Sequence, residues 1–205
     1  MTQRYRAVIF DLGGVLVDWD PRNLYRRFFT GDAAGMERFL SEIDFNAWNL
    51  EQDRGRSFAD GVAALSAKFP HYADLIHAYD QFWEESITGP IQGSVDVLRA
   101  LKAAGCAVSL LSNISREKFE VLQRTYDFFS EFEACLISAD AQLLKPDPRI
   151  YALLLARIKR AAAECVFIDD SAVNVAGADR AGLTARRFES PAQLKTDLQQ
   201  LGLLD

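Results

Sequence analysis

Short apolar runs recur along this chain, and stretches of helical period separate them. Arg6–Phe10, Ala107–Leu111, Ala134–Ser138, Cys165–Ile168 and Leu183–Phe188 are short, apolar and often β-branched, which predicts five strands. Ser94–Ala104 places Val95, Leu98 and Leu101 on one helical face and stops at Gly105. Ser115–Tyr126 opens on a capping-type serine and brings Phe119 and Leu122 together. Asp147-Pro148 and Ser190-Pro191 each pair an N-cap residue with Pro at the first helical position. Ile150, Leu153, Leu154 and Ile158 then recur at helical spacing, and Ser171–Ala181 reads as a further helix. Strands that alternate with helices predict an α/β fold, a doubly wound, mostly parallel five-stranded sheet covered on both faces.

One interval breaks the rhythm. From about Asp18 to Gly89 no strand is predicted, and the pattern reads as helices over Pro21–Thr30, Asp32–Ile43, Asp44–Gln52, Ser57–Phe69 and His71–Ser86. This block is too long for an ordinary crossover. The expected organisation is an α/β core of residues 1–17 and 90–205 with a helical insertion of residues 18–89. Hung beside the first strand, the insertion is placed to act as a lid; the alternative is a crossover of structural use only.

Composition narrows the classes. The 205 residues are 49% hydrophobic, enough to fill a real core, and the net charge is −6. With a pI near 5.0 the chain lacks the concentrated positive charge of a nucleic-acid surface. Its apolar runs are too short to span a membrane or to form a secretory signal. Cys106, Cys135 and Cys165 have neither disulfide nor zinc spacing and read as buried small hydrophobes. A cytoplasmic enzyme, monomeric or homodimeric, is expected. With only His71 and His77, catalysis centred on several histidines is disfavoured.

The chemistry gathers at the strand ends. Asp11 closes Ala7-Val8-Ile9-Phe10 and opens Leu12-Gly13-Gly14-Val15-Leu16. Packing explains a carboxylate there poorly, since Asp is disfavoured in strands and rarely fully buried unless paired. The glycines let the backbone turn sharply and approach a ligand. Ser112-Asn113 end the second strand, Lys145 lies beyond the third and Asp169-Asp170 end the fourth. In a parallel sheet these carboxyl ends share one edge. A carboxylate nucleophile, an acidic pair for a metal, a hydroxyl donor and a cation make a phosphoryl-transfer site.

Phe10-Asp11-Leu12-Gly13-Gly14-Val15-Leu16, Leu111-Ser112-Asn113, Lys145-Pro146 and Ile168-Asp169-Asp170 resemble, in order, the four motifs of the haloacid dehalogenase (HAD) superfamily. The resemblance covers essentially the whole chain, with the helical insertion matching that family's cap and the sheet its Rossmannoid core. It implies that Asp11 is the nucleophile and a Mg²⁺ ligand, and that Ser112 and Asn113 contact the transferring group. Lys145 would balance charge, Asp170 would bind metal directly, and Asp169 would bind it through water or hold its neighbour. The implied substrate is a small phosphorylated metabolite.

The chain departs from that pattern at Gly13. Most family phosphatases place there a second Asp that protonates the leaving group and activates water. Gly13 can offer only its backbone carbonyl to the metal. General acid–base help is typically worth about 10²–10⁴-fold, so leaving groups that depart readily are expected to be favoured. Asp11-Leu12-Gly13, with Val17-Asp18-x-Asp20 after it, resembles the bacterial glucose-1-phosphate phosphatase branch. Asp18 and Asp20 are candidates to replace the missing carboxylate, against the simpler reading that they cap the helix starting at Pro21. Two rivals stand beside the phosphatase: a metal-independent 2-haloacid dehalogenase and a non-catalytic binder of phosphorylated ligands. Adjacent carboxylates at 169–170 oppose the first, because they repel each other and an anionic substrate without a cation between them.

Other residues carry two readings each. Trp19, Trp48 and Trp83 read first as core packing and second as the site's entry. Arg22, Asp53 and Arg54 read first as solvated charges and second as substrate contacts. Asn174 either braces the acidic loop or sits exposed, and Ser171 reads as an N-cap.

Overall fold

The chain runs through β1 (Ala7–Phe10) and β2 (Val17–Trp19) into α1 (Pro21–Tyr25), α2 (Ala33–Glu42), α3 (Phe45–Asp53), α4 (Phe58–Lys68) and α5 (Ala73–Gln81), then returns at β3 (Ile87–Pro90). After it come α6 (Gln92–Ala103), β4 (Ala107–Ser112), α7 (Arg116–Thr125), β5 (Ala134–Ile137), α8 (Ser138–Ala141), α9 (Pro148–Ile158), β6 (Cys165–Asp169), α10 (Ala172–Arg180), β7 (Thr184–Arg187) and α11 (Pro191–Gln200). These elements belong to a computed structural model that describes residues 4–205.

Five parallel strands form the main sheet in the order β5-β4-β1-β6-β7. The centre is β1, with Phe10 level with Leu110 on one side and Ile168 on the other. All four of its residues are buried, and they alternate: Val8 and Phe10 enter one core cluster, Ala7 and Ile9 the other. That is the pleat of a strand covered on both faces. The chain leaves β1 toward β4 and β5, then crosses back to β6. The reversal sets the functional crevice at the carboxyl ends of the central strands.

The expected helix starts hold. Ser115, Asp147 and Ser190 accept hydrogen bonds from the backbone N–H groups of Lys118, Arg149 and Gln193. Each satisfies a donor that the first helical turn leaves open. The expectation of no strand between 18 and 89 is corrected at both margins. Val17–Trp19 and Ile87–Pro90 pair antiparallel, Val17 opposite Pro90 and Asp18 opposite Gly89. Strands of three or four residues that include Gly and Pro carry no readable alternation, so cross-pairing decides them. The helices expected at Pro21–Thr30 and His71–Ser86 also shorten, to Pro21–Tyr25 and Ala73–Gln81.

Aromatic side chains hold the helical insertion together. Tyr25 and Phe39 meet edge to face at 4.9 Å, as do Phe45 and Tyr79. Such pairs contribute about 0.5–1.5 kcal/mol beyond the area they bury. The Trp48 indole donates to the Gly61 carbonyl at 2.9 Å. Among the described residues no helix is long and apolar enough to cross a membrane.

Candidate active site

Asp11 follows β1, and its backbone N–H donates to the Ile168 carbonyl at 2.9 Å, which ties it to β6. Its Oδ1 accepts from the Leu12 N–H at 2.7 Å and pairs with the Lys145 ammonium at 2.7 Å. No hydrogen bond falls on Oδ2 among the described residues. Burial raises the Asp11 carboxyl to about 7, with Lys145 pulling it down and Asp169 pushing it further up.

Lys145 spends all three donors. It reaches Asp11 Oδ1 and Asp169 Oδ2 at 2.7 Å each and the Leu111 carbonyl at 3.0 Å. Burial pulls its pKa down, but Asp11 and Asp169 outweigh burial and leave it raised. Its backbone is clamped from β4: the Lys145 N–H donates to Asn113 Oδ1 at 2.8 Å, and Asn113 Nδ2 donates to the Lys145 carbonyl at 3.1 Å. Asn113 therefore positions Lys145 as well as lining the cavity beside the nucleophile.

Asp169 is fully buried, and its Oδ1 accepts from the Ser171 N–H at 2.9 Å and from Asn174 at 3.1 Å. Asn174 thus braces the acidic loop. Ser171 stands at the N-cap of α10, but its side chain makes no capping bond. The Asp170 carboxyl is raised by burial and by Asp169, with Lys145 opposing. Ligand atoms of Asp11, Asp169 and Asp170 lie within 4.8 Å of one another. The sharp turn at Gly14, φ +74°, brings the backbone against this set: a Cβ there would lie 2.5 Å from Asp170 Oδ2. Three carboxylates facing one ammonium, all oxygen donors, fit a hard divalent cation.

A cavity of about 90 Å³ opens beside this edge. Gly13, Ser112 and Asn113 line it from the sheet; Asn49, Asp53, Tyr79, Trp19 and Trp83 line it from the insertion and its hinge. Two expectations are corrected here. Trp19 and Trp83 line the cavity rather than serving the core alone, whereas Trp48 stays in the insertion's interior. Asp53 is buried rather than solvated, because α3 ends against α8: Ser138 Oγ donates to the Asp53 carbonyl at 2.6 Å. Arg22 does pair at the surface, with Glu37 at 2.6 Å, and Arg54 lies near Glu51. Asp20 caps α1 through the Arg22 N–H, and Asp18 accepts from the Thr88 hydroxyl. Neither lines the cavity.

Sequence reasoning misses Lys118, Asn49 and Tyr79. Lys118 lies in the first turn of α7 and reaches across to Asp80 of the insertion at 2.6 Å, over the Phe58 ring. Its spacing of three from Ser115 is the available signal, but its partner, distant along the chain, is invisible in a linear pattern.

The family model for haloacid dehalogenase-like hydrolases matches residues 5–182. The chain belongs to that family. It is 27% identical over 205 residues to the sesquiterpene phosphatase astK of Aspergillus oryzae, covering 98% of each chain. It is 30% identical over 197 residues to the (S)-2-haloacid dehalogenase 4A of Burkholderia cepacia, covering 92% of this chain and 84% of that one. Its fold matches a HAD family enzyme of Bacteroides thetaiotaomicron, solved with magnesium and inorganic phosphate, at a TM-score of 0.67 and 22% identity over 91% and 95% of the two chains.

Proposed function

We propose that this HAD-family hydrolase is a Mg²⁺-dependent phosphatase that hydrolyses a small phosphorylated metabolite through an aspartyl-phosphate on Asp11. One observation carries the reading: Asp11, Asp169 and Asp170 crowd within 4.8 Å with Lys145 as the single paired cation. Asp11, Asp170 and the Gly13 carbonyl would hold the metal, with Asp169 behind them. Bound there, Mg²⁺ supplies positive charge to the phosphoryl oxygens and offsets the carboxylates. Lys145 favours the ionised form of Asp11 against burial and holds one carboxylate oxygen, which leaves the other free. Ser112, at the end of β4, faces the cavity and is placed to donate to the phosphoryl group.

Sugar 1-phosphates, the substrates of the glucose-1-phosphate phosphatase branch that the motifs resemble, and acyl phosphates are the first classes to test. The free thiols of Cys106, Cys135 and Cys165 fit a cytoplasmic setting.

The dehalogenase reading has one observation in its favour, the absence of a carboxylate at Gly13, together with the Burkholderia relative. A single assay separates the two. Purified protein is given 4-nitrophenyl phosphate, a panel of sugar 1-phosphates and 2-chloropropionate, with Mg²⁺ or with chelator. Phosphate release that requires Mg²⁺ supports the phosphatase. Chloride release that survives the chelator, without phosphate release, replaces it with the dehalogenase.

A further inference from the structure

Building on the phosphatase reading, we propose that Asp53, carried by the helical insertion, is the general acid and base of the reaction, in place of the carboxylate missing at Gly13. Three observations converge on it. Asp53 lines the same cavity as Gly13, Ser112 and Asn113, and its carboxyl accepts from the Ser115 N–H just beyond β4, within electrostatic reach of Lys145. It is anchored there, since its carbonyl accepts from Ser138 Oγ at 2.6 Å and its Oδ2 from Asn49 at 3.2 Å. It forms no ion pair among the described residues, although only 8% of it is exposed. With no ion pair to offset burial, the carboxyl binds its proton more tightly, although the Ser115 N–H and Lys145 oppose the shift. Burial lifts it to about 7, where it can both give and take a proton near neutrality.

The neighbouring groups do not compete for the role. Asp18 and Asp20 are committed to Thr88 and to the start of α1. The Tyr79 hydroxyl, fully buried in the cavity wall, is held well above the usual tyrosine pKa by burial. It keeps its proton near neutral pH and cannot act as a base there.

An Asp11 oxygen attacks phosphorus and forms the acyl phosphate bond. The ester P–O bond breaks, its electron pair stays on the leaving oxygen, and the Asp53 carboxyl gives that oxygen its proton. The alcohol departs and Asp53 is left ionised. Asp53 then takes a proton from water as the water oxygen attacks phosphorus. The bond from phosphorus to Asp11 breaks, which returns the Asp11 carboxylate, a protonated Asp53 and inorganic phosphate. With Asp53 as donor, the site is not confined to leaving groups that depart unaided.

The test compares kcat/KM with Mg²⁺ for 4-nitrophenyl phosphate, phenyl phosphate and simple alkyl phosphates in wild type, Asp53→Asn and Asp53→Ser. Wild type should depend weakly on the leaving group. Both variants should lose about 10²–10⁴-fold on alkyl phosphates and less than about tenfold on 4-nitrophenyl phosphate. Gly13→Asp in the Asp53→Asn background should recover part of the alkyl phosphate activity, because a Cβ at Gly13 meets nothing within 4 Å. Equal losses on every ester, as a structural role would give, would overturn the assignment, and so would full activity in both variants. A wild type inert toward every ester with Mg²⁺ would overturn the phosphatase reading itself and the assignment with it.

Discussion

The two walls of the cavity solve opposite problems. On the sheet side, Asp11, Lys145 and Asp169 are bonded to one another, and Asn113, Ser171 and Asn174 lock them from behind. On the insertion side, the Asp53 carboxyl accepts from Asn49 at 3.2 Å and from the Ser115 N–H but enters no ion pair among the described residues. The sheet side is complete before substrate arrives, which suits groups that must hold a reactive geometry within a fraction of an ångström. The insertion side presents a buried carboxyl outside any ion pair among the described residues.

Breaking the sheet wall should have the largest effects. Asp11→Asn keeps the shape but is a far poorer nucleophile, so turnover should fall by at least about 10³-fold while the melting curve stays close to wild type. Activity within about tenfold of wild type would refute the nucleophile. Lys145→Met leaves two buried carboxylates without their cation and should lower stability by about 3–5 kcal/mol. The loss should shrink in acid, because Asp11 is raised to about 7 and becomes neutral as pH falls through that value. Urea melts at about pH 5 and about pH 8 read this directly. A loss that does not change with pH would mean that packing, not charge, holds the site.

The insertion wall should respond with the other sign. Asp53 shifts from 3.8 to about 7 on folding, so the folded state holds a proton that the unfolded chain releases. The resulting stability is full below pH 3.8 and is lost as pH rises through about 7. Asp53→Asn removes the burial penalty of the ionised form. At about pH 8 it should therefore melt higher than wild type, by up to roughly 4 kcal/mol, with little difference at about pH 4. A lower melt at both values would show that the carboxylate is a structural contact.

The smallest effect concerns how the walls are joined. The Lys118–Asp80 pair bridges α7 and the insertion at 2.6 Å, with Asp80 about one-third exposed. Partial exposure screens the pair, so Asp80→Asn should change stability by less than about 1 kcal/mol. Its larger signature should be a raised KM with kcat preserved, as expected if the pair holds the insertion over the substrate. An unchanged KM would remove Lys118 from the account.

These differences track what a linear pattern can disclose. Asp11, Ser112, Lys145 and Asp169 each end or follow an apolar run, so strand periodicity and the parallel-sheet rule are enough to bring them to one edge. The five strands are legible for the same reason, since β1 and β6 are buried on both faces. The strands at Val17–Trp19 and Ile87–Pro90 are not, because their pairing is non-local and their composition is poor for strands. Asp53 reads as a solvated charge because its burial depends on Ser138, far along the chain, and no local pattern encodes that meeting. Asp18 and Asp20 draw attention by lying near the motif in sequence, yet Asp18 is exposed in β2 between the cavity-lining Val17 and Trp19, and Asp20 is turned to cap α1.

The most direct test of the central claim is to quench the wild-type protein in acid during turnover of a phosphate ester with Mg²⁺ and map the peptide that contains Asp11. The account expects one phosphoryl group on Asp11, absent when chelator replaces Mg²⁺ and absent in Asp11→Asn. Full phosphatase turnover in excess chelator, or a phosphoryl group on another residue with Asp11 unmodified, would contradict it.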